Sequence, residues 1–260
     1  MRLPFCKYQG TGNDFIIIDN RQGILSHYSA SFVQDLCDRH WGIGADGFIV
    51  IKAHDEYDFE MIYHNADGSQ SLCGNGSRCA VHFAKQLGII DKEAYFLTTD
   101  GPHRAYLKDG LIHLQLHDVS EIQTLEDGYL LDTGSPHYVK HADNLKNINV
   151  YKEGKQIRNS PAFQKTGINV NFVSLDKGNK IAVRTYERGV EDETLSCGTG
   201  AVAAALVAAI QGYTSPINVR TQGGILQVGF TKKDHHHFQH VHLIGPAKMV
   251  FQGTIEVNPA

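Results

Sequence analysis

At 260 residues the chain is long enough for one large domain or two modest ones, and 42% hydrophobic with 20% charged residues is ordinary globular composition. A net charge of −4 and a pI near 6.4 give no basic field, which excludes nucleic acid as an expected partner. No apolar run reaches the roughly 20 residues of a membrane span, so no membrane partner is expected.

The first residues, MRLPFCKYQGTGNDF, carry neither the apolar core of a signal peptide nor the bias of a transit peptide. An apolar strand, FIIID, follows the small-residue turn GTGND. Residues 29–39 read as a helix with Phe32, Val33 and Leu36 on one face. A glycine-punctuated loop, Trp41 to Gly47, leads into the strand FIVIKA, and the alternating segment Tyr57–His64 delivers Asn65. The stretch Asn65–Cys79, NADGSQSLCGNGSRC, places Cys73 directly before Gly74-Asn75-Gly76, and Ser77–Leu87 continues with a helical pattern. Strands are expected around 94–98, 103–107 and 111–116, separated by Asp-Gly turns at Asp100 and Asp109. Late in the chain the arrangement returns: Cys197 precedes Gly198-Thr199-Gly200 and then AVAAALVAAI, a run apolar all round and therefore a buried helix.

The second half repeats the first. The two cysteines are 197 − 73 = 124 apart, and GFIVI at Gly47 has a twin in NFVSL at Asn171, also 124 away. Thr11-Gly12-Asn13 matches Thr133-Gly134-Ser135, and Thr99-Asp100-Gly101 matches Thr221-Gln222-Gly223, both at an offset of 122. Four matches nearly in register imply two copies of one α/β (α+β) unit. The expected division is 1–119 with the tail 249–260, against 120–248. Each copy would be a small, curved, mostly antiparallel sheet wrapped around a central helix, with an active-site cleft between the copies.

A thiol at a helix start meets unpaired backbone N–H groups and the positive end of the helix dipole, which favour thiolate. With one cysteine as thiolate and the other as thiol, the pair removes a proton from one face of a carbon and returns one to the other. That inverts a stereocentre with no redox change. No cofactor is expected: GTGND is not the G-x-G-x-x-G of a dinucleotide site, and no lysine stands in a pyridoxal-phosphate context. The negative charge that develops would fall to backbone N–H groups at the two helix starts, at Gly74, Asn75 and Gly76 and at Gly198 and Thr199.

These motifs resemble the diaminopimelate epimerase family, within the cofactor-independent amino-acid racemases. The resemblance runs almost end to end: KYQGTGNDFIIID, GIGADG, NADGSQSLCGNGSRC, TGSPH, NVNF, YERGVEDETLSCGTGA and GPAKMVFQG. The related proline-type racemases, the alternative reading, would carry CGHG where this chain has CGNG. The resemblance implies interconversion of LL- and meso-diaminopimelate, a small-molecule substrate on the route to lysine and peptidoglycan precursors. It also suggests a homodimer. Cys73 and Cys197 become the base/acid pair, with His137 and Glu187 tuning the thiols. Asn13, Asn65, Asn169, Glu187 and Arg188 become substrate-binding residues. Where many members have Gly-Asn-Pro-His, this chain has Gly134-Ser135-Pro136-His137. A serine is shorter than asparagine, so a substrate contact there would be lost or made through water.

The remaining thiols, Cys6, Cys37 and Cys79, read as core or incidental, since an odd cysteine count favours free thiols in a reducing cytoplasm over disulfides. A metal- or thiol-dependent binding module would draw on His235-His236-His237 with His240 and His242. That cluster lies in a polar hairpin and reads as a solvated turn, and no metal site is expected. A carboxylate-based isomerase of the same architecture is disfavoured by the presence of both cysteines.

Overall fold

Strand β1 (Arg2–Gly10) turns back through Thr11 and Gly12, both at positive φ, into antiparallel β2 (Asn13–Asp19). The computed structural model describes residues 1–257. Helix α1 (Ala30–Cys37) is capped by Ser29, whose Oγ accepts the Phe32 N–H at 3.2 Å, and buries Phe32, Val33 and Leu36 as its periodicity requires. β3 (Gly47–Lys52) lies parallel to β2, and β4 (Phe59–Asn65) returns antiparallel. Helix α2 (Gly74–Gln86) leads to β5 (Glu93–Thr98), parallel to β4, and then to the antiparallel β6 (Gly101–Lys108) and β7 (Leu111–Gln115).

The chain continues with β8 (Ile122–Leu125), β9 (Gly128–Asp132) and β10 (Pro136–His141), then helix α3 (Val150–Arg158), β11 (Asn169–Asp176) and β12 (Lys180–Glu187). After the short β13 (Asp192–Thr194) come helix α4 (Gly198–Ile210), β14 (Ile217–Thr221), β15 (Gly224–Lys232) and β16 (Phe238–Gly245). The last strand, β17 (Lys248–Glu256), pairs antiparallel with β1. The fold is thus mixed α+β and sheet-dominated.

Two units are present: Met1–Leu114 with the chain from Pro246 onward, and Gln115–Gly245. Each seam lies a few residues before the expected positions at 119/120 and 248/249. In the first unit β2–β3 is parallel, β3–β4 antiparallel, β4–β5 parallel, and β5–β6 antiparallel. In the second, β10–β11, β11–β12, β12–β14 and β14–β15 follow the same sequence of senses. The registers also fix the repeat length. Phe15 pairs with Gly47 and His137 with Asn169, and 137 − 15 and 169 − 47 are both 122. The twin of Gly47 is therefore Asn169, two residues before the expected Asn171. The offset grows to 124 only at the helix starts, Gly74 and Gly198, after two residues gained between β12 and α4.

Each unit keeps its long helix inside. In the second, α4 packs against β9 to β12 and β14 to β16, and from Ala201 to Ala209 every residue is buried. Its alanines let strands approach on all sides, while Val202, Leu206 and Val207 fill the space left, each contributing about 1.5–3 kcal/mol by burial. In the first unit α2 packs against β1 to β4 and β17. Helix α3 escapes a periodicity reading because VYKEGKQIR buries only Val150 and Gly154. A Cβ at Gly154 would lie 2.3 Å from Tyr186 Cβ, so the bare glycine lets a polar helix settle on β12.

Gly47 bears on the site because a Cβ there would stand 2.4 Å from the Tyr63 ring and 2.8 Å from the His64 carbonyl. Tyr63 in turn donates to Asn65 Oδ1. Gly47→Ala is expected to cost about 1–3 kcal/mol by overpacking. Denaturant unfolding checks this: the midpoint should fall with the slope unchanged.

Candidate functional site

In the first unit, Cys73 occupies the N-cap of α2 with extended backbone (φ −130°, ψ 109°). Its Sγ accepts the Gly76 N–H at 3.4 Å, and its carbonyl accepts the Ser77 N–H at 2.8 Å. Asn13, at the start of β2, sets its Oδ1 3.5 Å from the same sulfur. The direction of that amide is fixed from behind, because Asn13 Nδ2 donates to Asp46 Oδ2 at 2.7 Å. Asn13 Oδ1 also accepts from Asn75 Nδ2 at 3.2 Å. The sulfur therefore has an N–H donor suited to its thiolate and a carbonyl acceptor suited to its thiol, which is what a group that takes and returns a proton needs.

Asp46 belongs to a charged cluster. Arg39 donates to Asp46 at 2.7 Å and to both oxygens of Asp14, while the buried Lys7 pairs with Asp14 at 2.8 Å and reaches the Gly44 carbonyl. Burial alone would raise the Asp14 carboxyl, but hydrogen bonds from Arg39 and Lys7 outweigh it and bring its pKa down to about 2. Asn65 is held at the base of the loop before Cys73: its Nδ2 donates to Ser69 Oγ and Ser71 Oγ, and its Oδ1 accepts from Tyr63.

Arg78 is a residue the sequence reading missed. It is fully buried, and its guanidinium donates to Asn75 Oδ1 at 3.0 Å and, at 3.4–3.5 Å, to the Pro246 and Gly74 carbonyls and Thr11 Oγ1. All of these partners are neutral. Burial draws its pKa down to about 10, against the pull of Cys79 and Cys73, so it stays a cation at neutral pH. Burial pushes the adjacent Cys79 thiol up, as it does Cys6, and lifts Cys37 to about 12. A buried cation whose described hydrogen-bond partners are all neutral is costly to hold. The available signal was a base in the first turns of a helix with no acid there, against the dipole preference.

In the second unit, Cys197 is the N-cap of α4 (φ −104°, ψ 115°) and is 7% exposed, with Thr199 Oγ1 at 3.6 Å from its sulfur. Thr133 Oγ1 donates to the Thr199 carbonyl at 3.0 Å, tying the 133–135 turn to this helix start. Asn169 is a clamp. Its Nδ2 donates to Ser135 Oγ at 2.8 Å and to the Pro136 carbonyl at 3.0 Å, and its Oδ1 accepts the Arg188 N–H at 2.9 Å. Arg188 also donates to Ser135 Oγ at 3.4 Å and to the Thr166 carbonyl at 3.3 Å. Ser135 thus joins Asn169 to Arg188. Glu187 accepts from Thr194 Oγ1 at 2.8 Å. His137 is fully buried; burial, and then the charge of Arg188, lower its pKa to about 3, so the ring is neutral.

The expected residues therefore form two sets. Asn13, Cys73, Asn75 and Gly76 touch one another in the first unit, with Asn65 bonded into its own loop. Ser135, Asn169 and Arg188 touch in the second, with Cys197 beside Thr199. In the histidine-rich hairpin His236 Nδ1 lies 2.8 Å from the Ile122 carbonyl and His237 Nδ1 2.7 Å from Asp234, so these rings are bonded within their own surroundings.

Sequence comparison gives a match to the family described as diaminopimelate epimerase over residues 5–121 and 129–250. Diaminopimelate epimerase from Flavobacterium psychrophilum is 47% identical over 257 residues, spanning 97% of this chain and 100% of that one. The Chlorobaculum tepidum protein of that name is 40% identical, over 95% and 98% of the two chains. Among solved structures, a PhzF-family phenazine biosynthesis protein from Bacillus anthracis superposes with a TM-score of 0.71 at 14% identity, covering 99% of this chain and 100% of that one. A probable proline racemase from Agrobacterium radiobacter, with bound carbonate, gives a TM-score of 0.68 at 14% identity, over 99% and 94%. These two structures establish the shared fold.

The charged cluster behind Asn13 carries a pH prediction. Asp14 has a lower pKa folded than unfolded, so its stabilisation is complete above pH 4 and is lost as pH falls toward 2. Between those limits the native chain should lose about 2 kcal/mol that Asp14→Asn does not lose. Urea unfolding across that range checks it; parallel curves for the two proteins would contradict it.

Proposed function

The chain belongs to the diaminopimelate epimerase family, and from that premise we propose that Cys73 and Cys197 are its acid–base pair, acting on the two faces of one α-carbon. An epimerase of this family is an isomerase, and the LL and meso forms of diaminopimelate are the stereoisomers exchanged. One cysteine, as thiolate, takes the α-proton; the other, as thiol, delivers a proton to the opposite face. Each sulfur ends in the other's starting state, and the reverse reaction restores both.

The observation that carries this reading is the setting of Cys73, with a helix N–H donating to its sulfur and an oriented carbonyl beside it. By contrast, Cys6, Cys37 and Cys79 are held as thiols by burial. First-turn N–H groups at Gly74 and Asn75, and at Gly198 and Thr199, stabilise the substrate carboxylate as carbanion character develops. In other enzymes one such donor is worth about 3–4 kcal/mol. Gly76 spends its N–H on the sulfur and so acts on the base rather than on the substrate.

Asn13 presents an oxygen, which suits the reacting ammonium. Arg188 suits the distal carboxylate by bidentate pairing. Asn65, Asn169 and Glu187 complete the recognition of a second zwitterionic centre, and Ser135 supports it by holding Asn169 and Arg188. His137 tunes the thiol chemistry together with Glu187. None of the five cysteines is joined in a disulfide among the described residues, which fits work in a reducing cytoplasm.

General acid–base catalysis contributes typically 10²–10⁴-fold, so Cys73→Ala and Cys197→Ala are each expected to lower turnover of LL-diaminopimelate at least about 100-fold. Chiral chromatography of the product measures it. Near-normal turnover in either variant would rule out the pair, and faster racemisation of proline would point to the proline-type alternative.

A further inference from the structure

Three polar side chains on β10, β11 and β12 form a relay inside the second unit. Thr185 Oγ1 donates to Asn171 Oδ1 at 2.9 Å. Asn171 Nδ2 donates to the Tyr138 carbonyl at 3.1 Å and lies 3.0 Å from His137 Nδ1. Asn171 and His137 are fully buried and Thr185 nearly so. The amide has one workable orientation. Flipped, it would set its oxygen against the Tyr138 carbonyl, which only accepts.

With Nδ2 as a donor, His137 Nδ1 has to accept, and the single proton of the neutral ring sits on Nε2. That Nε2 is buried and has no hydrogen-bond partner among the described residues. Burying a donor without an acceptor is costly, so this N–H is available to an incoming acceptor. The relay also has a definite place. A Cβ at Gly200 would lie 2.4 Å from Asn171 Oδ1 and 3.3 Å from Cys197 Sγ, so the amide stands against the first turn of α4 beside the cysteine. Arg188 is the charged group that bears on the ring, and together with burial it keeps His137 neutral.

We propose that Asn171, oriented by Thr185, is a positioning residue that holds His137 as the Nε2–H tautomer, so that His137 serves as a hydrogen-bond donor to an anionic oxygen or sulfur and not as a proton-abstracting base. Only the kinetic part of the test rests on the two-thiol reading above. The tautomer is read without turnover, so each reading can fail while the other stands.

The test is long-range ¹H–¹⁵N correlation spectroscopy of the labelled full chain, with the His137 ring assigned by its disappearance in His137→Gln. A protonated Nε2 and a bare Nδ1 are expected, unchanged from pH 8 to pH 5; an Nδ1–H tautomer or an imidazolium in that range overturns the proposal. Asn171→Asp replaces the donor with an acceptor and should move the proton to Nδ1 or charge the ring, with turnover falling at least tenfold. An unchanged Nε2–H tautomer in that variant also overturns it. If Asn171→Asp does not fold, Thr185 decides: Thr185→Ser should keep the native tautomer and Thr185→Val should give a mixture, whereas identical spectra would remove Thr185 from the account.

Discussion

A sulfur at the start of a buried helix, receiving a backbone N–H, is the contact on which the proposed chemistry depends. Helices begin with N–H groups that have no intrahelical acceptor, and serine, aspartate or asparagine would satisfy them better than cysteine does. Placing Cys73 there gives up capping strength and sets an ionisable thiol at the positive end of α2. The neighbourhood holds that geometry tightly. A Cβ at Gly10 would crowd an Arg78 guanidinium nitrogen at 3.2 Å and the Asn75 carbonyl at 3.3 Å, so β1 closes directly over the helix start.

The two cysteines share a position but not an environment. Cys73 is backed by charge: Asp46 orients Asn13, Arg39 and Lys7 hold the carboxylates behind it, and Arg78 lies beneath Asn75. Around Cys197 the described contacts come from neutral groups. Thr199 stands beside its sulfur, and the Thr185–Asn171–His137 relay lies against the same turn. The proposed exchange of roles needs thiols close enough in energy to interconvert, but their surroundings need not be alike.

Much of this was legible in the chain. The cysteines before glycine turns, the strands between Asp-Gly signals, and the all-apolar run after Cys197 are local features, and local rules read them. What stayed hidden depends on contacts remote in sequence. The direction of the Asn13 amide is set by Asp46, 33 residues away, and no reading of GTGND contains it. Arg78 looks like a solvated helix residue until β1 and the chain at Pro246 cover it. The part Ser135 plays in joining Asn169 to Arg188 was hidden because those partners come from other elements. The two-residue error in the strand twin arose because spacing was counted from the cysteines, on the far side of the extra residues before α4.

The most direct measurement is the early time course in heavy water with LL-diaminopimelate, scoring deuterium at the α-carbon in product and in recovered substrate. Two sulfurs of separate duty predict that the newly formed meso compound carries solvent deuterium at the inverted centre while the remaining LL compound stays unlabelled. Substrate labelled as fast as product forms, or product that keeps its original hydrogen, would mean that one group handles both faces and would contradict the account.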